Sequence, residues 1–299
     1  MLRIIKKYVG VAKPGIILGN LISTAGGFLL AARGQIETGV LQATLAGTAL
    51  MIASGCVLNN CIDRNMDRKM ARTRNRVLAS GRMSPAAAVL YAGSLGLAGT
   101  ALLWRATNPL CVGLVLAGFA IYVVAYSLVL KPRWAFSTLV GSLAGAAPAL
   151  AGYCAVTNHF DTGAVILLSI FCLWQMPHAH AISVSRLEDY AAAAIPSLAG
   201  QQGVPMAKRH IVIYILGFWA ATLMLTIGGY TGFGFFTAAM VIGLLWLLIA
   251  LSGTRTTDDR LWARKLFVFS VVGITILSVM MAVDCTVPHP SGLLLTRAP

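Results

Sequence analysis

Asn59, Asp63 and Asp67 stand four residues apart. On a helix, that i, i+4, i+8 spacing lines the three side chains along one ridge. Two carboxylates one turn apart repel each other unless a cation lies between them. Hard oxygen donors that leave coordination positions open suit Mg2+ holding a phosphate ester. Arg64, Arg68, Arg72 and Arg76 repeat at the same interval on an adjacent ridge, with Lys69 and Arg74 close by. Guanidinium groups bind phosphate oxygens bidentately. An acidic ridge beside a basic one suits a diphosphate, with metal on some oxygens and arginine on the rest. The competing reading is a solvated, salt-bridged helix face; the strict Asn-x3-Asp-x3-Asp ladder favours the metal.

A second polar stretch reads Trp174-Gln175-Met176-Pro177-His178-Ala179-His180 and continues to Arg186-Leu187-Glu188-Asp189-Tyr190. Pro177 is expected to kink or break a helix and so to open a cavity beside Gln175, His178 and His180. Polar groups inside an apolar run are costly and are functional candidates by default. Glu188 and Asp189 are candidate ligands for a second metal facing the first ladder. A third element, Tyr126 to Lys131-Pro132-Arg133, leads into Gly141-x3-Gly145-x2-Pro148. Lys131 and Arg133 either cap a diphosphate or only mark the cytoplasmic side of a membrane. Lys13-Pro14 and Asn20 are weaker hints.

The elements that carry these residues follow from composition. Of 299 residues, 58% are hydrophobic and 11% charged, with mean hydropathy +0.80. A water-soluble domain carries about 25% charged residues, so this chain reads as a polytopic membrane protein. Disorder, coiled coil, collagen and a disulfide scaffold are excluded by the same numbers. Runs long enough to span a bilayer lie near 14–31, 40–58, 85–103, 109–130, 135–156, 163–184, 211–229, 233–252 and 266–283. The expected fold is all-α: one integral membrane domain over 1–299, a bundle of nine transmembrane helices. The net charge of +14 is read as topology rather than nucleic-acid binding. With a cytoplasmic N-terminus, every Lys and Arg except Arg33, Arg105 and Arg297 falls inside, which puts the C-terminus on the opposite side. Both acidic stretches then share the cytoplasmic face. No cleavable signal peptide is evident. The six cysteines show no CxxC pair and read as small core residues.

Joint motifs make the chain resemble the UbiA superfamily of intramembrane prenyltransferases. They are Asn59-Asn60-x2-Asp63-x3-Asp67-x2-Met70-x-Arg72-Thr73-x2-Arg76, Tyr126-x4-Lys131, and Trp174-Gln175-x-Pro177-His178 followed by Asp189-Tyr190. The resemblance runs from Lys13-Pro14-Gly15 to the last span and is strongest to the branch whose acceptor is haem. Asn60, where the superfamily often has Asp, fits that branch. Ala179, Val77 and the extra imidazole of His180 depart from the common pattern.

The resemblance implies an enzyme that moves a farnesyl group from farnesyl diphosphate to a vinyl of haem B with addition of water, giving haem O for a terminal oxidase. It implies Mg2+ as cofactor, a bacterial inner-membrane location, and partners among haem-supplying or oxidase-assembly proteins. Spacing and resemblance together assign Asn59, Asp63, Asp67 and Asp189 to the Mg2+–diphosphate group, with Glu188 beside Asp189. Resemblance assigns Arg72, Arg76 and Lys131 to diphosphate oxygens, and Asn60, Tyr126 and Gln175 to substrate contact. His178 is expected to orient haem or ligate its iron. The alternatives are a related enzyme with an aromatic quinone-precursor acceptor, and a non-catalytic haem-handling protein or transporter.

Overall fold

The computed structural model describes residues 2–286. Arg297 and the chain end at Pro299, both expected outside, lie beyond the described residues. Among the described residues the regular elements are all helices, apart from an isolated bridge between Thr231 and Cys285. A short helix, α1 (Leu2–Val11), precedes the bundle. Next come α2 (Pro14–Ala32), α3 (Thr38–Lys69), α4 (Pro85–Ala106) and α5 (Pro109–Ala120), the last prolonged as a π-helix over Ile121–Leu130. Then follow α6 (Ser137–Thr157), α7 (Thr162–Ser185), the short α8 (Leu187–Ala192) and α9 (Leu198–Gln202), α10 (Val204–Ile227), α11 (Phe233–Ser252) and α12 (Asp259–Val283). Among the described residues nine helices are long and apolar enough to cross a membrane.

Local chemistry starts these helices. Ser84, Asn108, Asp161 and Asp258 each accept a backbone N–H of the first turn, and proline stands at the opening of α2, α4, α5 and α10. Large apolar side chains such as Leu90, Leu97 and Phe233 face outward, as a bundle solvated by lipid requires. Helix α3, with 32 residues, is about 48 Å long. That exceeds the roughly 30 Å of a hydrocarbon core, so its C-terminal turns carry Asn59, Asp63 and Asp67 beyond the apolar part of the span.

The spans pack through small residues. A Cβ on Gly27 of α2 would lie 2.2 Å from the carbonyl oxygen of Ala149, and one on Gly152 of α6 would lie 2.0 Å from that of Thr24. Helices α2 and α6 therefore touch backbone to backbone, the small-residue packing expected in lipid.

Two expectations are corrected. The arginine ridge is not continuous, because α3 ends at Lys69 and residues 70–84 form turns; Arg72 and Arg76 leave the helix that carries Arg64 and Arg68. Helix α7 runs through Pro177 without a break, so the cavity beside it does not depend on a broken helix. The irregular winding lies instead in the fourth span, where the π-helix over Ile121–Leu130 carries Tyr122, Tyr126 and Ser127. Single-turn π segments accommodate an extra residue and re-aim side chains.

Candidate active site

A cavity of about 1000 Å³ runs between the spans. Lys13, Asn59, Arg76, Tyr126, Lys131 and Tyr190 are among the residues that line it. Asn59 is the hub of this polar group. Its amide nitrogen donates to Asp63 Oδ2 and to Ser127 Oγ, each at 3.0 Å, and its carbonyl oxygen accepts from Lys13 Nζ at 2.6 Å. Lys131 Nζ donates to Asp63 Oδ2 at 2.5 Å. One turn on, Arg76 donates to both oxygens of Asp67 at 3.0 Å, and the Thr73 hydroxyl donates to the Asp67 carbonyl at 2.9 Å. These contacts fold the 70–84 segment back over the end of α3, so Arg76 faces the acid ladder from outside the helix.

Asp63 and Asp67 are only 3% and 2% exposed. Two carboxylates this deep need cations, and each has one. Burial pushes the Lys13 ammonium down to about 8, the charges of Arg76 and Lys131 act in the same direction, and Cys56 and Asp63 oppose them. Tyr190 is pushed up to about 12, chiefly by burial. Lys13 takes a left-handed backbone conformation at φ 56°, which turns the chain sharply at the start of α2 and brings its side chain to Asn59.

The donor set fits a hard divalent cation. Asp63 Oδ1 is buried with no hydrogen-bond partner among the described residues, and the neighbouring donors of Asn59 and Asp67 are oxygens. Among the described residues no three His, Cys, Asp or Glu side chains form a ready metal cluster. Mg2+ ordinarily uses one or two carboxylates together with substrate phosphates rather than a complete protein cage, and this arrangement is of that type.

Other expected site residues are placed differently. Asn60 points away from the cavity: its amide donates to the Val11 carbonyl at 2.7 Å, tying α3 to α1. The physical reason is helical rotation, since the residue after Asn59 faces about 100° away. Glu188 is exposed and Asp189 half-buried on α8; neither lines the cavity. Arg72 is also exposed and feels the charges of Arg76, Arg186 and Asp189. The second acidic motif thus approaches the first through Arg72 and Tyr190, not by carboxylate facing carboxylate.

Elsewhere in the lining, His178 packs against Trp174 (ring centroids 4.7 Å apart) and Phe267 (4.8 Å). Its Nδ1 is 2.8 Å from Ser270 Oγ, and Trp174 Nε1 donates to the Ser270 carbonyl at 2.9 Å. Gln175 lines the same cavity. A Cβ on Gly145 would strike its side chain at 1.6 Å, and one on Gly141 would lie 2.9 Å from the Tyr126 ring. The Gly141-x3-Gly145 spacing therefore admits these two side chains. His180, two residues from His178, also lines the cavity and packs against His210 and Tyr214, with ring centroids at 6.0 and 6.2 Å.

Sequence reading underrated Lys13 and missed Ser127 and Ser270. A basic residue just before a span was the available signal for Lys13. Single serines in apolar helices carry none.

A cationic, acid-backed end joined to a roomy greasy cavity can hold a polyprenyl diphosphate, its charged head among Lys13, Arg76 and Lys131 and its tail among the spans. Residues 20–272 match the UbiA prenyltransferase family, and the chain belongs to that family; it is a prenyltransferase enzyme. Over 97% of both chains it is 57% identical to protoheme IX farnesyltransferase 2 of Chromobacterium violaceum. It is 55% identical to the protoheme IX farnesyltransferase of Sodalis glossinidius over 97% of this chain and 98% of that one. Among solved structures, a UbiA homologue from Archaeoglobus fulgidus bound to GPP and Mg2+ aligns with TM-score 0.69 at 16% identity, covering 93% of this chain and 99% of that one. A digeranylgeranylglyceryl phosphate synthase aligns with TM-score 0.75 at 16% identity over 94% of this chain and 98% of the other. These structures share the fold.

Proposed function

We propose that the protein transfers the farnesyl group of farnesyl diphosphate to a vinyl group of haem B, with addition of water, giving haem O and diphosphate. The observation that carries this reading is near-full-length identity of 57% to a protoheme IX farnesyltransferase. The cavity supports it, lined by three cations and by an imidazole packed against two aromatic rings.

The chemistry follows from the residues. Lys13, Arg76 and Lys131 hold the diphosphate by charge-assisted hydrogen bonds that strengthen as the leaving group gains charge. Asn59, Asp63 and Asp67 would hold Mg2+, with Asp189 and Glu188 on α8 outside the cavity lining and Arg72 reaching from the surface toward an outer diphosphate oxygen. Mg2+ when bound adds positive charge against the departing oxygens. The allylic C–O bond breaks and its electron pair leaves with diphosphate. The vinyl π electrons form the new C–C bond, leaving a cation on the carbon beside the porphyrin. Water adds there and loses a proton, giving the hydroxyl. The Tyr122–Tyr126 pair, stacked at 6.2 Å, walls the route of the prenyl chain. Gln175 contacts a substrate in the cavity, and the apolar lining limits water near the farnesyl cation.

The surroundings follow the same reading. The chain forms one domain in a bacterial inner membrane, with both acidic motifs and the N-terminus on the cytoplasmic side. Haem-supplying and oxidase-assembly proteins are its functional neighbours. Its cytoplasmic basic residues attract haem propionates and anionic lipid.

The test is direct. Membranes containing the protein are incubated with farnesyl diphosphate and Mg2+, together with haem B or 4-hydroxybenzoate, and the extracts are analysed by mass. Farnesylated, hydrated haem is expected. A prenylated benzoate with unchanged haem overturns the acceptor assignment, and no product from either overturns the reaction.

A further inference from the structure

The hydroxyl of Ser270 has one proton to give and two contacts to satisfy. Ser270 Oγ lies 2.6 Å from the carbonyl oxygen of Phe267 and 2.8 Å from His178 Nδ1. A carbonyl oxygen can only accept, so the Ser270 proton is committed to Phe267. The serine oxygen then meets His178 with a lone pair, and Nδ1 must bring the hydrogen. A neutral imidazole protonated at Nδ1 has its free lone pair on Nε2. Among the described residues, no group hydrogen-bonds Nε2, and His178 lines the cavity.

The ring cannot readily escape this arrangement. Trp174 and Phe267 lie at 4.7 and 4.8 Å by centroid. Trp174 is itself tied to the Ser270 carbonyl at 2.9 Å, so one residue of α12 fixes both the imidazole and a wall of its cage. Ser270 is 1% exposed, so water does not compete for its oxygen.

We propose that Ser270 is a positioning residue for the acceptor. It holds His178 as the Nδ1–H tautomer and so presents the Nε2 lone pair to the iron of haem bound in the cavity. A ligating histidine commonly donates its other ring N–H to a fixed acceptor, which sets the tautomer and raises ligand basicity. Here the acceptor is a serine hydroxyl whose own proton is held by the backbone. His180 does not share this role. His180 also lines the cavity, but it packs against His210 and Tyr214 and, among the described residues, no fixed acceptor holds its ring as Ser270 holds His178.

This inference rests on the haem-acceptor reading, and its test separates the two. The full-length protein in detergent is titrated with haem B. The absorption spectrum, the haem affinity and the iron–imidazole stretch of the ferrous complex are recorded for wild type, His178→Ala, Ser270→Ala and Ser270→Thr. Farnesyl diphosphate affinity and haem product mass are measured in parallel. His178→Ala is expected to lose the imidazole-ligated spectrum. Ser270→Ala is expected to lower the iron–imidazole frequency and weaken haem binding about tenfold, with prenyl diphosphate affinity unchanged. Ser270→Thr restores both haem readouts, because it keeps the hydroxyl. If Ser270→Ala fails to fold, Ser270→Cys serves in its place. A loss on His178→Ala with a wild-type frequency and affinity in Ser270→Ala overturns the role of Ser270 and leaves the haem ligand standing. An unchanged spectrum in His178→Ala overturns both roles, while haem O in the product assay still upholds the proposed reaction.

Discussion

Lys131 Nζ lies 2.5 Å from Asp63 Oδ2, although the two residues are 68 positions apart and belong to different spans. Lys131 faces the cavity while Asp63 lies behind it. In the proposed reaction, a diphosphate entering the cavity would offer Lys131 a more highly charged partner and leave the Asp63 carboxylate free. Arg76 and Asp67 form the same arrangement one turn further along α3. Each carboxylate is thus neutralised before substrate arrives, which makes burying two of them on one ridge tolerable.

Removing the charge of either carboxylate at nearly constant volume should stop the chemistry and spare the bundle. Asp63→Asn and Asp67→Asn are each expected to lower farnesyl transfer by about 100-fold or more, the scale of losing one preorganised charge-stabilising group. Membrane insertion should be normal. Chelation should mimic the variants, and added Mg2+ should restore the chelated wild type but not the variants. Substantial activity in both variants would remove the ladder from the metal site.

Lys13 is expected to give the reaction an alkaline limit. Burial holds its ammonium near 8, below the ordinary 10.5. Between these values the folded protein binds fewer protons than the unfolded chain. Lys13 therefore costs stability below about pH 8, and that cost fades as pH rises toward 10.5. Diphosphate binding runs the other way, because the cation is lost above about pH 8. From pH 7 to 9.5, kcat/KM for farnesyl diphosphate is expected to fall, and Lys13→Arg should move that limb to higher pH. Superimposable pH profiles for wild type and Lys13→Arg would exclude Lys13 from the diphosphate site.

The backbone contact of α2 with α6 predicts a steric lesion. Gly152→Ala forces a methyl against the Thr24 carbonyl, which cannot swing aside as a side chain would. A loss of about 1–3 kcal/mol is expected, as for other overpacked sites. Gly113→Ala on α5 adds its methyl where nothing lies within 4 Å and should leave stability unchanged. Thermal unfolding in detergent compares the two; equal midpoints would show that α2 and α6 separate freely.

Topology can be read by reporter fusions. Reporters after Gly81 or Gly203 are expected in the cytoplasm, and reporters after Asn158 or Gly232 on the opposite side. Cytoplasmic signal at Asn158 would place the two acidic motifs on different faces and end the single-site reading.

The sequence by itself determined the nine spans, the Asn59–Asp63–Asp67 ridge and the family signature, because hydropathy and helical spacing are local properties that twenty consecutive residues suffice to express. The bundle decided which cation serves which acid: Lys13 reaches Asn59 across 46 positions and Lys131 reaches Asp63 across 68. It decided that Asn60 ties down α1 while Asn59 faces the cavity, and that His178 and His180 look toward different helices. Neighbours on a helix point about 100° apart, so residue type names the candidates, and only the packing of the other spans determines which direction is the cavity. Ser270 shows the limit most clearly: a single hydroxyl in an apolar span takes its meaning from an imidazole 92 positions away.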